Sequence, residues 1–383
     1  MKHPHLILPL LVALTLTALV SCRHEEMVMP TEYERVPADD ADSPVTGLYL
    51  VNEGNMGSNK CSLDYLDLTT GIYSRNFYAE RNPNVIKELG DVGNDIGIYG
   101  SKLYVVVNCS HKVEVLDAHT GVREGSIDIP NCRYVSFHGG YAYVSSYVGP
   151  VLVDPSAPKG MVCRIDTVSL SVTERVTVGY QPEEMEIVGD MMYVANSGGY
   201  RAPDYDNTVS VIDLKRFAQV DLIPVAINLH RIRKDGYGHL WVNSRGNHKD
   251  IPSRLYMLSA GQRGMKVSRK IDVNCSNFAI YGDQLYYYAT DKDAEGARGD
   301  VSYGVIDVRS GEVVAENFIS DGTEKEIKMP YGIAVNPANG DIYVTDARNY
   351  VSSGRLYCFS PDGRKRWSVR TGDIPAEIAF LTR

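Results

Sequence analysis

Short apolar runs alternate with polar, glycine-containing turns along most of the chain, and one pattern recurs: an apolar residue, an aromatic residue, then a second apolar residue or Tyr. Successive aromatic residues of this triplet are 55, 39, 50, 48, 45 and 57 positions apart. That spacing is close to the length of a four-stranded propeller blade, so the repeat predicts seven blades. The copies are Leu48-Tyr49-Leu50, Leu103-Tyr104-Val105, Ala142-Tyr143-Val144, Met192-Tyr193-Val194, Leu240-Trp241-Val242, Leu285-Tyr286-Tyr287 and Ile342-Tyr343-Val344.

The residues around each triplet predict the other strands of a blade. A tight glycine-bearing turn, such as residues 99–102, precedes the triplet, as a hairpin requires. A third strand follows and usually ends in Asp, as at Asp117, Asp213 and Asp307, before a turn leads into a fourth strand. A catalytic interpretation of these Asp residues is open. An Asp that enters a tight turn commonly accepts hydrogen bonds from its own backbone, which favours a structural role.

The two ends of the sequence are predicted to contribute strands to the same blade. No strand-like segment lies between the polar N-terminal region and Leu48, so the first blade lacks its innermost strand. Residues 376–381 form an apolar run that can supply it, and such closure removes an open sheet edge. The sequence therefore predicts an all-β domain at residues 45–383: a seven-bladed β-propeller of four-stranded antiparallel blades, closed by the C-terminal strand.

The first residues have the pattern of an export signal. Residues 1–21 carry Lys2 and an apolar run from Leu6 to Val20 that is too short to span a bilayer, as in a signal peptide. Small residues directly before Cys22 resemble a bacterial lipobox, in which this Cys is lipidated; a plain secretory leader is the alternative. Residues 22–44 are rich in Pro, Asp and Glu and are expected to be a flexible tether. Lipid on Cys22 is then the expected membrane anchor.

The composition of the chain limits the classes of ligand that it is expected to bind. The chain has 48 Asp and Glu against 39 Lys and Arg, which argues against a nucleic-acid-binding surface. It also has 26 Tyr against 7 Phe and 2 Trp. Because Tyr combines an apolar ring with a hydroxyl, this bias suits recognition of a ligand that is part apolar and part polar.

The cysteines after Cys22 lack the close spacing of a zinc, haem or redox motif. Cys109 and Cys132 are candidates for a disulfide, and buried thiols are the alternative. The six residues are Cys61, Cys109, Cys132, Cys163, Cys275 and Cys358.

Loop lengths identify one face of the propeller as functional. Turns between strands one and two and between strands three and four are short, whereas the connections on the opposite face are long and varied. Long loops on a rigid scaffold commonly carry binding groups, and ordinary solvated loops are the alternative. The long connections are residues 52–60, 76–93, 147–160, 196–207, 244–253, 290–300 and 346–353.

These loops and the adjoining strand ends carry amide, hydroxyl, carboxylate and guanidinium groups among flat aromatic rings. Such a lining suits a bulky ligand rich in amides or hydroxyls. The candidate ligand-binding residues are Asn52, Glu53, Asn94, Asp95, Asn108, Tyr134, Tyr147, Glu184, Asn196, Tyr200, Arg201, Tyr205, Arg231, Arg245, Asn277, Tyr288, Asp346, Arg348 and Tyr350.

Signatures of catalysis are lacking in the sequence: it has no nucleophile elbow, zinc-protease motif, phosphate-binding loop or dinucleotide fingerprint. Residues 291–296 match the first half of a calcium loop, but Ser302 stands where a bidentate Glu is required. Glu184 and Glu377 enter inner strands, which leaves a metal-dependent hydrolase of the lactonase type open. A protein without enzymatic activity, catalytic cofactor or metal is favoured.

A family resemblance adds an expected ligand. The strand, turn and strand patterns at residues 187–213 and 331–359 resemble those of the YncE-like seven-bladed propellers. With the lipobox, the tether and a basic-then-acidic tetrad at residues 23–26, the chain resembles surface lipoprotein propellers of gut Bacteroidota.

The best known of those propellers capture cobalamin (vitamin B12) and sit on the extracellular side of its TonB-dependent outer-membrane transporter. The resemblance implies cobalamin or another corrinoid as the ligand, that transporter as the partner, and an outer membrane location facing the cell exterior. Tyr- and amide-rich loops independently suit a corrin ringed by amides. A protein-interaction scaffold and the hydrolase remain as alternatives.

Overall fold

The computed structural model describes residues 31–85, 89–262, 264–290 and 301–383, and Thr31–Arg383 form one compact unit. The expected signal peptide, Cys22 and the candidate calcium loop at residues 291–296 lie outside the described residues. Helix α1 (Phe77–Arg81) follows β4, and a short 3-10 helix (Thr323–Lys325) follows β24. The strands are β1 (Glu32–Arg35), β2 (Val45–Asn52), β3 (Ser62–Asp67), β4 (Ile72–Arg75), β5 (Gly93–Tyr99), β6 (Lys102–Val107), β7 (Lys112–Asp117), β8 (Arg123–Asp128), β9 (Cys132–His138), β10 (Tyr141–Ser146), β11 (Lys159–Asp166), β12 (Ser171–Tyr180), β13 (Pro182–Val188), β14 (Met191–Asn196), β15 (Thr208–Asp213), β16 (Ala218–Pro224), β17 (Leu229–Lys234), β18 (Leu240–Ser244), β19 (Arg254–Gly261), β20 (Gly264–Ile271), β21 (Asn277–Tyr281), β22 (Gln284–Ala289), β23 (Ser302–Asp307), β24 (Glu312–Ala315), β25 (Pro330–Val335), β26 (Ile342–Asp346), β27 (Ser353–Phe359), β28 (Lys365–Asp373) and β29 (Pro375–Thr382).

These strands form seven antiparallel sheets, and the prediction of a seven-bladed propeller is confirmed. Blades two to seven each contain four consecutive strands, beginning with β5, β9, β13, β17, β21 and β25. Those first strands, together with β29, contact one another in cyclic order and surround a central channel. Every repeated triplet lies in the second strand of its blade, as its spacing predicts.

The chain closes the ring with its C-terminal strand. Strand β29 pairs antiparallel with β2, with Leu48 opposite Phe380 and Leu50 opposite Ile378. The predicted completion of the first blade is therefore confirmed.

The first blade also has a fifth strand at its outer edge, which was not predicted from the sequence. Strand β1 pairs with β4, with Glu32 opposite Arg75, and the two side chains form an ion pair. Its residues are exposed, but Val36 directly after it is buried. This part of the expected tether is hydrogen-bonded to the propeller.

Hydrophobic residues pack mainly between neighbouring blades rather than inside one central core. Seven clusters of buried side chains each combine residues from two adjacent blades. The triplet aromatics are buried, and the Tyr49 hydroxyl donates to the Ala118 carbonyl of the next blade at 2.9 Å. Recurrence of an aromatic residue thus follows from the same packing need at each interface between blades.

The Asp residues that end the third strands have the expected structural role. The Asp117 carboxylate accepts hydrogen bonds from the backbone N–H groups of His119 and Thr120. Asp166 does the same in its blade, and hydrogen bonds from Ser169 lower its pKa. These short turns lie on the face of the propeller opposite the long loops.

Candidate ligand-binding site

A cavity of about 900 Å³ opens on the face that carries the long loops, at that end of the central channel. Its volume lies within the usual range of ligand pockets, about 300–1,000 Å³. The ends of inner strands form its floor, and loops of several blades form its walls. The predicted site residues that line it are Glu53, Asn94, Asn108, Tyr134, Tyr200, Arg231, Arg245, Asn277, Tyr288 and Tyr350.

The asparagines of the lining also hold neighbouring blades together. Asn108 donates from its amide nitrogen to the Cys132 carbonyl at 2.8 Å, and Asn94 donates in the same way to the Arg133 carbonyl at 2.5 Å. Each amide carries a second N–H that this bond leaves to other acceptors. These residues therefore fix the floor of the cavity and present donors to it.

Several predicted site residues are instead part of the framework. Asn52 donates to the Ser62 hydroxyl at 3.2 Å, and Asn196 donates to the Ser210 hydroxyl at 2.9 Å, so both amides link strands within a blade. The Asp346 carboxylate accepts two backbone N–H groups of the segment just before β25. All three residues are buried and do not line the cavity.

Three further candidates lie in the long loops but outside the lining. The Arg201 guanidinium stacks over the Tyr180 ring, 3.7 Å from its centroid, and its Nε donates to the Pro155 carbonyl. Tyr205 and Arg348 are also absent from the lining. A position in a long loop therefore does not distinguish these residues from those that line the cavity.

One wall of the cavity contains two guanidinium groups that share one carboxylate. Glu183 is fully buried; it accepts hydrogen bonds from Arg133 Nη2 at 3.1 Å and from Arg245 Nη2 at 2.8 Å. The Tyr147 hydroxyl donates to the same carboxylate at 2.6 Å, which places this predicted residue behind the wall. Burial opposes ionisation, but Arg133, Arg245 and Tyr147 outweigh it and lower the pKa of Glu183. The carboxylate is therefore charged.

A histidine of the cavity lining lies close to these guanidinium groups. His230 Nε2 shares a hydrogen bond with the Tyr134 hydroxyl at 2.9 Å, while its buried Nδ1 has no partner among the described residues. Burial and the charges of Arg245, Arg231 and Arg133 lower the pKa of His230 well below its ordinary value. The imidazole is therefore neutral in this setting.

The opposite wall has a different character. The Tyr331 hydroxyl donates to Glu53 at 2.8 Å, and the rings of Tyr331 and Tyr350 are edge-to-face with centroids 5.8 Å apart. Burial raises the pKa of Glu53 to about 7, although the hydrogen bond from Tyr331 opposes the rise. Near neutral pH, this wall thus holds a carboxyl group that can gain or lose a proton.

A layer of ion pairs lies in the channel between this cavity and a second one. Arg231 donates to Glu377, and Arg233 Nε donates to Glu184 at 3.2 Å. Arg231 Nη1 also lies 3.8 Å from Glu184. Below this layer a second cavity of about 460 Å³ is lined by Asp95, Glu184, Glu377 and Arg233, so two predicted site residues belong to the other end of the channel. Burial and the charges of Glu377 and Glu184 raise the pKa of Asp95 well above its ordinary value.

Arg133, His230 and Tyr331 all line the main cavity but are not among the residues predicted from the sequence. Each lies two residues before the inner-strand residue that pairs with the last residue of the repeated triplet. Alignment of the blades on that triplet would have placed them in one ring at the channel mouth.

Cys109 and Cys132 are both thiols, so the disulfide alternative is not realised. Cys132 is buried and its Sγ lies 3.2 Å from the Lys112 carbonyl, whereas Cys109 lines the cavity. Burial raises the pKa of Cys109.

Within the ranges given above, no cluster of three or more His, Cys, Asp or Glu side chains is arranged to hold a metal ion. None of the described helices has the length and apolar character needed to cross a membrane.

Comparison with known proteins supports the fold and identifies the family. No curated protein matches the sequence. Among solved structures, the chain is similar to hydrazine synthase from Kuenenia stuttgartiensis, with a TM-score of 0.58 and 18% identity over 70% of this chain and 77% of that chain. It is also similar to a hypothetical selenium-binding protein from Sulfolobus tokodaii, with a TM-score of 0.65 and 10% identity over 88% of this chain and 93% of that chain. At such identities the similarity shows the fold alone. The sequence matches, over residues 46–360, the family described as a domain of unknown function (DUF5074), and the chain therefore belongs to that family.

Proposed function

We propose that this protein captures a bulky, amide-rich ligand of the corrinoid class, with cobalamin as the first candidate, and does not transform it chemically. The main support is the cavity on the loop face, where five tyrosines surround a floor of amide and guanidinium groups. The tyrosines are Tyr134, Tyr200, Tyr288, Tyr331 and Tyr350.

The chemistry of this lining suits such a ligand. Tyr rings offer large flat contact areas at low cost in conformational entropy. Asn94, Asn108 and Asn277 supply amide donors and acceptors at the floor, which match the amide groups around a corrin ring. A cavity of about 900 Å³ can hold a large part of a ligand of that size and leave the remainder exposed to solvent or to a second protein.

Apolar side chains around the cavity mouth favour a protein partner as well. Met56, Leu152, Val153, Ile251 and Val351 are exposed, and all lie in long loops of the same face. Exposed apolar groups that form a contiguous patch mark docking surfaces, and we propose that these side chains contribute to one. In the proposed role, a protein anchored through lipid on Cys22 presents this rim to a TonB-dependent outer-membrane transporter and passes the ligand to it. The resemblance to YncE-like lipoproteins supports this arrangement.

The same rim supports the second candidate function, a protein-interaction scaffold whose cavity holds no small ligand. The lactonase-type hydrolase is less favoured because the channel carboxylates Glu184 and Glu377 are paired with Arg231 and Arg233. A carboxylate engaged by a guanidinium group is a poor ligand for a divalent metal, since the bound cation must compete with the fixed positive charge.

Gel filtration of the purified protein with cyanocobalamin tests the proposal. A bound corrinoid absorbs visible light and should co-elute with the protein at close to one equivalent. A parallel run with the substitution Tyr350→Ala should show less bound ligand, because this ring borders the cavity. A colourless protein peak for the unmodified chain would reject corrinoid capture and favour the scaffold.

A further inference from the structure

The wall formed by Arg133 and Arg245 carries more positive than negative charge. Both guanidinium groups contact a single carboxylate, that of Glu183, so one positive charge remains without a counter-charge. Nη1 of neither guanidinium has a hydrogen-bond acceptor among the described residues, although both side chains line the cavity. The side chains are only 13% and 26% exposed, so water screens this charge incompletely.

Other charges near the cavity floor do not cancel the excess. Arg231 and Arg233 face the two carboxylates of Glu184 and Glu377, which balances that layer. His230 is neutral and adds no charge. Glu53, on the opposite wall, interacts electrostatically with Arg133, but burial raises its pKa to about 7, so its carboxyl is only partly ionised near neutral pH. Lys249 and Asp250, which also line the cavity, carry opposite charges.

Buried polar atoms next to the wall also lack partners. Arg231 is 6% exposed, yet its Nε has no hydrogen-bond partner among the residues that the structure describes, and the same holds for His230 Nδ1, which donates or accepts according to the tautomer. Buried polar groups in folded proteins are nearly always hydrogen-bonded, so these atoms call for an ordered water or a polar group of a ligand at this place.

We propose that Arg133 and Arg245 bind a singly charged oxyanion of the ligand, either a phosphodiester or a carboxylate. A guanidinium group presents N–H donors in a planar fork that matches such an anion. This inference rests on the proposed function in that it assigns one part of the captured ligand to one wall. Among corrinoids, cobalamin carries a phosphodiester in its nucleotide loop, whereas cobinamide lacks that loop and its phosphodiester.

The substitution Arg245→Gln removes the positive charge that has no counter-charge at this wall. It leaves Glu183 paired with Arg133 and hydrogen-bonded by Tyr147, so no buried charge loses its partner. Arg201→Gln is the matched control, because it removes one positive charge from the same face at a residue that does not line the cavity.

Affinities of the unmodified protein and of both variants for cyanocobalamin and dicyanocobinamide give a thermodynamic cycle for each substitution, in which one change is in the protein and the other is in the ligand. Arg245→Gln should weaken cobalamin binding about 10- to 100-fold, the usual effect of losing a hydrogen bond to a charged group, and should change cobinamide binding much less. Arg201→Gln should leave the ratio of the two affinities unchanged. Equal losses for both corrinoids in Arg245→Gln would overturn the assignment.

A second arm separates failure of this inference from failure of the proposed function. If the unmodified protein binds neither corrinoid, the proposed function fails, and inorganic phosphate alone tests the anion site. Phosphate at constant ionic strength should then raise the melting temperature of the unmodified protein and of Arg201→Gln, but not that of Arg245→Gln. The same rise in all three proteins would show that the wall does not select an anion.

Discussion

Arg231 donates a hydrogen bond to Glu377 across the channel and joins the inner strand of blade five to the strand that closes the ring. The two residues are 146 positions apart in the sequence, and both side chains are nearly buried. The pair therefore links ring closure to the layer that separates the two cavities. It also places a long-range ionic contact where packing between blades is interrupted by the channel.

Removing one member of this pair should be costly. Glu377→Ala leaves the buried Arg231 guanidinium without its main counter-charge, and breaking a buried ion pair in this way typically costs about 3–5 kcal/mol. We expect the free energy of unfolding, measured by urea denaturation, to fall by that order. Glu312→Ala is the control, since its pair with Arg269 is exposed and should contribute less than about 1 kcal/mol. Similar losses in both variants would contradict this role for the channel pair.

Deletion of residues 376–381 tests ring closure. These residues belong to β29, so their loss exposes the inner edge of β2 and removes the contacts of β29 with β5 and β25. We expect a lower melting temperature, aggregation, or both, because an open edge pairs readily with other chains. Deletion of residues 31–35 is the matched comparison: it removes the exposed outer strand β1, and the melting temperature should change much less. A monomeric protein with an unchanged melt after the first deletion would argue against closure by β29.

The fold was predictable because the same physical requirement recurs seven times. Each blade needs an aromatic residue in its second strand to fill the interface with its neighbour, so an aromatic residue recurs once per blade, as at Tyr49, Tyr104 and Trp241. Closure by residues 376–381 followed because the first blade lacks a strand. Strand β1 was not predictable in this way. Its side chains are exposed and polar, and its position depends on backbone pairing with β4 and on a single ion pair.

The site was predictable only in part because loop position does not say where a side chain points. Asn196 and Asp346 stand beside long loops, yet their polar groups satisfy backbone and hydroxyl partners of the framework. Arg133 and His230, in contrast, occupy inner-strand ends that no loop pattern marks. Their role depends on seven strands converging on one axis, which is a property of the assembled ring.

The carboxyl group of Glu53 should make stability depend on pH. Burial raises its pKa in the folded state from 4.5 to about 7, so the folded protein holds this proton more tightly than the unfolded chain does. The stabilisation is complete below about pH 4.5 and is lost as the pH rises through about 7. Glu53→Gln should therefore lose less stability than the unmodified protein between pH 4.5 and pH 7.5, measured by urea denaturation at each pH. Parallel curves for the two proteins would refute the assignment; Glu312→Gln, which alters an exposed carboxylate, should give a curve parallel to that of the unmodified protein.

The proposed lipidation of Cys22 predicts how the protein is attached to a membrane. In cells, Cys22→Ala should release a folded propeller into the soluble fraction, because the lipid on this residue is the proposed anchor. Fractionation after a salt wash, followed by detection of the protein in pellet and supernatant, measures the change. Cys109→Ala is the control, since that thiol lies at the cavity and should not affect partitioning. Retention of the Cys22→Ala protein in the washed membrane pellet would show that another element provides the anchor.

The tyrosine side chains that line the cavity should carry much of the affinity for cobalamin. Tyr200→Ala and Tyr350→Ala each remove a ring that lines the cavity, and truncation of a well-packed aromatic contact typically costs about 1–3 kcal/mol of binding free energy. His119→Ala is the matched control on the opposite face, where the exposed side chain stands in a short turn, and its effect should stay below about 0.5 kcal/mol. Isothermal titration calorimetry on all four proteins provides the comparison. Equal losses from the two faces would mean that the ligand does not occupy this cavity, whereas a loss confined to the tyrosine variants would support a corrinoid bound in the cavity.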